Sequence, residues 1–403
     1  MEYTPLSKWY YKDKEQYEQI YSRRFQSEST TILDFQIGKH QAFFLYNREI
    51  VTLLSSIYKE NQKLLALKSL LPIIALEHFQ SCCLIDEIKL TNEIEGIHST
   101  RKEISTIMNA TEETLYNQRL FGLVKKYQLL TSETISIATC MDIRNIYNDL
   151  VLTEVSLQDK DNYPDGVYFR QNGVNVYNEH MKCIHRGLLP EFKIISYMDQ
   201  CLAVLNAPKT PPLIGIAFFH YMFGYIHPFY DGNGRTSRFI SSYLLSQTLD
   251  PLVSYHISYT MKENIKEYYR AFEIVNDEKN RGDITPFIIY FLEMLQTAIT
   301  NIYEKLYEKR EKFIYYTEQI KNISIKEPTQ RILFVLLPNT LFGENGISIQ
   351  ELSDICEYSD STIRNYMTQF KAKKLLRITN DGKLLRYDLD LNVLDTLYIL
   401  DPL

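Results

Sequence analysis

Apolar positions recur at three- and four-residue steps through most of the chain, the spacing that gives an α-helix one buried face. The pattern runs from Glu49 to Leu71, again from Ile73 to Leu90, and over about Arg101 to Leu130. It resumes at Phe192–Leu205 and Pro212–Tyr225, breaks at His227–Gly234, and restarts from Arg235. A long charged stretch, about Pro286–Lys321, reads as a connecting helix. Only 14 Gly and 13 Pro punctuate 403 residues, so a mainly α fold follows. Residues 1 to about 30 are polar and aromatic, with no readable partner.

Two segments leave the helical period. Gln158–Gly166 is dense in turn formers, and Val167–Tyr177 (VYFRQNGVNVY) is rich in β-branched and aromatic types. That run predicts a small β-hairpin turning at Asn172-Gly173. Towards the C-terminus, Arg331–Leu337, Ile347–Ile355 and Ser361–Lys373 read as three helices. Leu376–Thr379 and Leu384–Leu389 then read as short strands around Asp381-Gly382. Helix, helix-turn-helix and hairpin make a winged helix-turn-helix order.

Composition narrows the function class. Lys and Arg number 44 against 50 Asp and Glu, a net charge of −6, which excludes a chain-wide basic coat for nucleic acid but not a local patch. Such a patch stands at 361–380, where Arg364, Lys371, Lys373, Lys374 and Arg377 occur with no acidic residue, so DNA is a partner this segment could take. The six Cys form no CxxC pair and suggest neither a disulfide framework nor a zinc site. Met1 to Tyr11 lacks the apolar stretch of a signal peptide. No apolar run approaches the roughly 18 residues that span a bilayer, so the expectation is a cytoplasmic, reduced protein with no membrane contact.

The chemistry concentrates in His227–Arg238, HPFYDGNGRTSR. Gly232-Asn233-Gly234 is a turn opening directly into a helix, so several backbone N–H groups aim outward with the helix dipole behind them. Arg235 and Arg238, three apart, add two guanidinium forks suited to a polyphosphate. Asp231 can place a carboxylate on a Mg²⁺ that bridges phosphate oxygens. His227, at the other lip, can take a proton from an attacking hydroxyl near neutral pH. Base, metal ligand, nest and two Arg in one loop suit phosphoryl or nucleotidyl transfer. His220 lies seven residues before His227, but no third ligand stands near at metal spacing. His185 reads as structural.

HPFYDGNGRTSR resembles the Fic family signature, HPFx(D/E)GNGRxxR, at every specified position. The resemblance covers roughly residues 70–300. It implies transfer of AMP from ATP to a Tyr, Ser or Thr hydroxyl of a target protein, with Mg²⁺ as cofactor. By position, His227 would be the general base, Phe229 the buried anchor of the loop and Asp231 the Mg²⁺ ligand. Gly232, Asn233 and Gly234 would form the anion hole, with Asn233 adding a side-chain donor. Arg235 would hold phosphate, and Arg238 the γ-phosphate end of ATP. Upstream, Thr91–Gly96 (TNEIEG) resembles the family's inhibitory motif, (S/T)xxxE(G/N). Glu95 would pair with Arg238 in place of the γ-phosphate, and Thr91 and Gly96 would help fix the turn.

The resemblance extends further in four ways. Some members with this Glu also remove AMP. The hairpin at Val167–Tyr177 lies where the family holds its target segment. Tyr259, Tyr268 and Tyr269 fall in the region that lines the adenine pocket in the family, although core packing accounts for such rings as well. Members with an inhibitory helix are often dimers, so self-modification and a homodimer enter the expectations. The expected organisation is an N-terminal helical region with the inhibitory motif (1–130), a Fic catalytic core (131–300), a helical connector (301–325) and a winged helix-turn-helix domain (326–403). The reading from a different class is a DNA-binding regulator whose Fic core senses nucleotide. The intact His227 speaks against it, because a pure sensor needs no base.

Overall fold

The computed structural model describes residues 3–110, 119–177, 183–322, 327–381 and 384–400. The chain divides into two compact units, one of Met1–Gln62 with Leu84–Thr300, the other of Lys63–Cys83 with Asn301–Leu403. Both are mainly helical; among the described residues the first carries two short antiparallel strand pairs and the second carries one. Among the described residues, no helix is long and apolar enough to cross a membrane.

The first unit is organised by the helix Pro212–Ile226, which is apolar on every side and buried almost throughout. An all-round apolar helix belongs at the centre of a core. Pro212 occupies its first turn, where a missing N–H is harmless. It packs against Glu191–Leu205 and against Asn233–Ser246, the helix that opens from the motif. The helix Cys140–Tyr147 starts at a capping box of Thr139 and Asp142. It runs on through a π-helical turn at Asn148–Leu152 into Thr153–Gln158. Such a π turn rotates the residues beyond it, and it contacts the motif helix. Upstream, Arg48–Lys68 and Ile73–Ile94 form where the apolar period predicts them. The tract read as Arg101 to Leu130 resolves into Arg101–Met108 and Phe121–Gln128, and residues 111–118 lie outside the described residues.

Two features differ from the sequence expectation. Thr30–Ile37 (β1) and His40–Leu45 (β2) form an antiparallel pair turning at Gly38, inside a region expected to be helical. Leu33, Phe35 and Ile37 alternate into the core from β1. The aromatic N-terminus gains its partner here, because Leu6 and Tyr17 cluster with Phe43 of β2, flanked by Trp9, Tyr10, Tyr21 and Phe25. The second hairpin is displaced. Asn175–Tyr177 (β3) pairs with Cys183–Arg186 (β4), so Asn172-Gly173 is not its turn. Residues 167–174 form an irregular loop because side chains take up their backbone groups. The Glu191 carboxylate accepts from the N–H groups of Val167, Tyr168 and Phe169. The β3–β4 connection, 178–182, lies outside the described residues.

In the second unit, Glu327–Phe342, Ile349–Cys356 and Asp360–Ala372 are followed by Leu376–Asp381 (β5) and Leu384–Leu389 (β6). Ser348 and Glu351 form a capping box on the second helix, and Ser359 caps the third. β5 and β6 pair antiparallel from Leu376↔Leu389 to Asp381↔Leu384. Ile332, Leu336, Leu352, Ile363, Phe370 and Leu389 are buried, giving this unit its own apolar core. The expected boundary at 325/326 falls at 323–326, outside the described residues, as does Gly382 of the expected turn.

Candidate active site

His227 ends the central helix. Its N–H donates to the Phe223 carbonyl at 2.9 Å, and its backbone is left-handed, with φ of 51°. The residue is half-buried. Burial pushes its imidazole pKa down to about 4, and the neighbouring His185 and Arg170 act in the same direction. The ring is therefore neutral at pH 7, the form that accepts a proton.

Phe229 is fully buried and lies flat on Tyr147, with ring centroids 3.7 Å apart and planes at 14°. Asn233 closes the loop. Its Oδ1 accepts from the Phe229 N–H at 2.9 Å, and its Nδ2 donates to the Phe229 carbonyl at 2.8 Å. The amide thus braces the loop from within, with one of its two N–H donors engaged. Gly232 takes φ of 75°, and a β-carbon there would press within 2.8 Å of Val151 Cγ2. Gly232 is the residue before the helix Asn233–Ser246, so the first N–H groups of that helix face the loop. Asp231 is half-buried beside it, and its Oδ1 accepts the Gly232 N–H.

The two arginines part company. Arg235 is fully buried and its Nη1 donates to Glu154 Oε2 at 2.8 Å. Among the described residues, its Nε and Nη2 are buried without a hydrogen-bond partner. Its guanidinium faces Glu154, which the π turn brings to it. Arg238 is also buried, but it faces the helix Ile73–Ile94. Its Nε donates to Thr91 Oγ1 at 2.7 Å, and its Nη2 to the Thr91 carbonyl at 2.9 Å and to Glu95 Oε1 at 2.7 Å. Glu95 keeps about a third of its side chain exposed, at 31%. Burial opposes the Arg238 charge, yet Glu95 and nearby tyrosines outweigh it and hold the guanidinium pKa above its ordinary value. Gly96 takes φ of 73° in the turn that ends this helix, a position that favours glycine.

The structure therefore gathers Thr91, Glu95, Gly234 and Arg238 at one point, 143 positions apart along the chain for the ion pair. Other singled-out residues stand elsewhere. His220 is hydrogen-bonded to Ser241 at 2.8 Å and Tyr268 at 2.9 Å, and burial drops its pKa to about 3. Tyr268 is thereby core, Tyr259 stacks on His256, and Tyr269 lies at the surface. His185 Nε2 contacts the Tyr225 carbonyl at 2.7 Å. Among the described residues, no cluster of three or more His, Cys, Asp or Glu could hold a metal ion. Glu154, Glu191 and Arg170 were not singled out from sequence. The first of these had one signal, a lone carboxylate inside the apolar run LVLTEV.

A family model described as the Fic/DOC family matches residues 141–245. The chain is similar to the protein adenylyltransferase Fic of Drosophila persimilis, with 33% identity over 94 residues, which is 23% of this chain and 17% of that protein. It is likewise similar to the protein adenylyltransferase Fic of Aedes aegypti, with 33% identity over 106 residues, 26% of this chain and 19% of that protein. The chain thus spans less than a fifth of either relative's own length. A solved Fic family protein from Desulfovibrio desulfuricans G20 shares the fold, with a TM-score of 0.52, 20% identity, and coverage of 85% of this chain and 96% of that one.

Proposed function

The chain carries a Fic/DOC-family domain, and on that premise we propose that it is an autoinhibited protein adenylyltransferase. The substrate is ATP, and AMP passes to a Tyr, Ser or Thr hydroxyl of a target protein or of the chain itself. The single observation that carries this reading is the Glu95–Arg238 pair, set beside a neutral His227 at the mouth of the motif helix. His227 takes the hydroxyl proton as the oxygen attacks the α-phosphorus and pyrophosphate leaves. The first N–H groups of Asn233–Ser246 receive phosphate oxygens. Arg238, once released by Glu95, meets the γ-phosphate end.

The donor set fits Mg²⁺. Asp231 offers one carboxylate at the loop, with one oxygen tied to its own turn, and Mg²⁺ is usually held by one or two carboxylates together with phosphate oxygens and water. When bound, Mg²⁺ supplies charge neutralisation on the phosphates. Asp231 itself holds the turn and presents its remaining oxygen. In the reverse sense, removal of AMP, Glu95 would orient the attacking water. The target segment would lie along the β3–β4 pair in extended form. A homodimer and a cytoplasmic location belong to the same reading.

The test is labelling with Mg²⁺ and ATP carrying a label at the α-phosphate. Glu95→Gly is expected to self-label strongly, the wild type weakly and His227→Ala not at all. Equal absence of label in all three sinks the reading.

A second reading has its own observation. Arg364, Lys371, Lys373, Lys374 and Arg377 are all exposed on and just after the helix Asp360–Ala372. Read as a winged helix, this unit would bind DNA through 361–380, making the chain a regulator whose Fic core senses nucleotide. Duplex binding at low salt that falls steeply as salt rises would support it, and no binding even at low salt removes it.

A further inference from the structure

Arg170 has no solvent exposure, and its hydrogen bonds go to carbonyl oxygens alone. Nε donates to the His227 carbonyl at 2.9 Å and Nη1 to that of Asn172 at 2.6 Å. Nη2 donates to Leu188 O at 2.9 Å and Ile226 O at 3.5 Å. The Arg170 N–H adds a bond to the Pro228 carbonyl at 3.2 Å. One residue thus joins three pieces of chain: its own irregular loop, the segment just after β4, and the last turn of the central helix. Gly187 makes room for it, because a β-carbon there would fall on Nη2.

Burying a cation without a counter-charge is unfavourable, and among the described residues no acid forms a salt bridge with Arg170. An apolar side chain would fill the space without that penalty. Broken local rules of this kind concentrate where a site needs them. What the guanidinium supplies is donors for the orphan carbonyls at a helix C-terminus, where the dipole also favours a cation. His227 needs that hold, since a non-glycine residue stays in the left-handed region only when its surroundings fix it.

Resting on the reading of His227 as the base, we propose that Arg170 is its positioning residue: a single guanidinium fixes the backbone of Ile226 and His227 against the foot of the β3–β4 pair, so that the base and the strands that would present the target hydroxyl are set together. The charge acts as well. The groups facing the imidazole are His185 from β4, Arg170 from its loop, and Glu95 from the turn after Ile73–Ile94. The first two favour the neutral ring and Glu95 opposes them.

Arg170→Met and Arg170→Lys separate the two contributions in the full chain. The first readout is the ring titration of His227 by nitrogen-15 NMR, with His227→Ala assigning the resonance. Arg170→Met should move that titration up towards the usual imidazole range, and Arg170→Lys, which keeps the charge, should leave it low. The second readout is labelling kinetics in the Glu95→Gly background. Both variants should lose roughly 10- to 100-fold in kcat, because Met has no donor and a Lys ammonium, a compact point at the end of a flexible stem, cannot span the four carbonyls that the planar guanidinium reaches. KM for ATP should stay within about twofold, since Arg170 touches no group assigned to ATP. If Arg170→Met fails to fold, Arg170→Lys carries the test. Full kcat in Arg170→Lys, or an unmoved His227 titration in folded Arg170→Met, overturns the proposal. If Glu95→Gly itself does not label, the transferase reading fails, and the NMR titration still decides whether Arg170 controls His227.

Discussion

Glu95 Oε1 stands where a β-carbon on Gly234 would have to be, and the same β-carbon would lie 2.9 Å from Arg238 Nη1. Gly234 is in the first turn of a helix with an ordinary negative φ, so alanine suits its backbone. Its glycine is explained by the carboxylate opposite. A double-mutant cycle reads this directly. Gly234→Ala in the wild type should lower stability by about 1–2 kcal/mol, through displacement of Glu95 from Arg238. In Glu95→Gly the same change should be neutral or stabilising by about 0.5–1 kcal/mol, the ordinary gain of Ala over Gly in a helix. Additive effects in chemical unfolding would mean that the two residues do not meet.

The Arg235–Glu154 pair calls for the opposite treatment, because both side chains are out of solvent, at 0% and 4% exposure. Removing one partner strands a buried charge. Glu154→Ala should destabilise the chain by about 3–5 kcal/mol, and Arg235→Met together with Glu154→Leu should recover most of that. A loss below about 1 kcal/mol for Glu154→Ala, as for an exposed pair, would show that Arg235 reaches solvent or another partner in solution.

These two ion pairs differ in how far the sequence betrays them. Arg238 and Glu95 each lie inside a recognisable string of residues, so their meeting could be expected across the whole intervening chain. Glu154 has no string around it. What brings it to Arg235 is a π turn, a local change of helical pitch that no apolar period encodes. Arg170 is harder still, since its partners are carbonyls, and backbone oxygens carry no sequence signature. The hairpin shows the converse. Asn172-Gly173 is a good turn dipeptide, but Glu191 and Arg170 occupy the backbone groups a ladder there would need, and pairing moves to 175–177. β1 and β2 were legible in principle, as Leu33, Phe35 and Ile37 alternate before Gly38, yet long helical runs follow them and dominate the pattern. Some of the 31 Tyr also find their place, in the ring cluster formed by Tyr10, Tyr17 and Tyr21 around Phe43. The motif loop was the most legible part because its geometry is written within twelve consecutive residues.

Glu87 adds a titration beside the Glu95–Arg238 contact. It lies one turn before Thr91, fully buried, accepting from the Ser258 N–H at 2.8 Å and the Ser258 hydroxyl at 2.6 Å. Burial pushes its carboxyl pKa up to about 7, against the pull of Ser258 and of Arg238. The folded chain therefore holds a proton that the unfolded chain releases between about pH 4.5 and 7. The stability this contributes is fully present below the ordinary carboxyl range and is lost as pH rises through about 7. Glu87→Gln is neutral at every pH and can still accept from Ser258. Relative to the wild type, it should gain on the order of 3 kcal/mol between pH 4 and pH 8, read from chemical unfolding midpoints at several pH values. Wild-type and variant curves that run parallel over this range would mean that Glu87 titrates in the folded chain as it does in the unfolded one, and would sink this prediction.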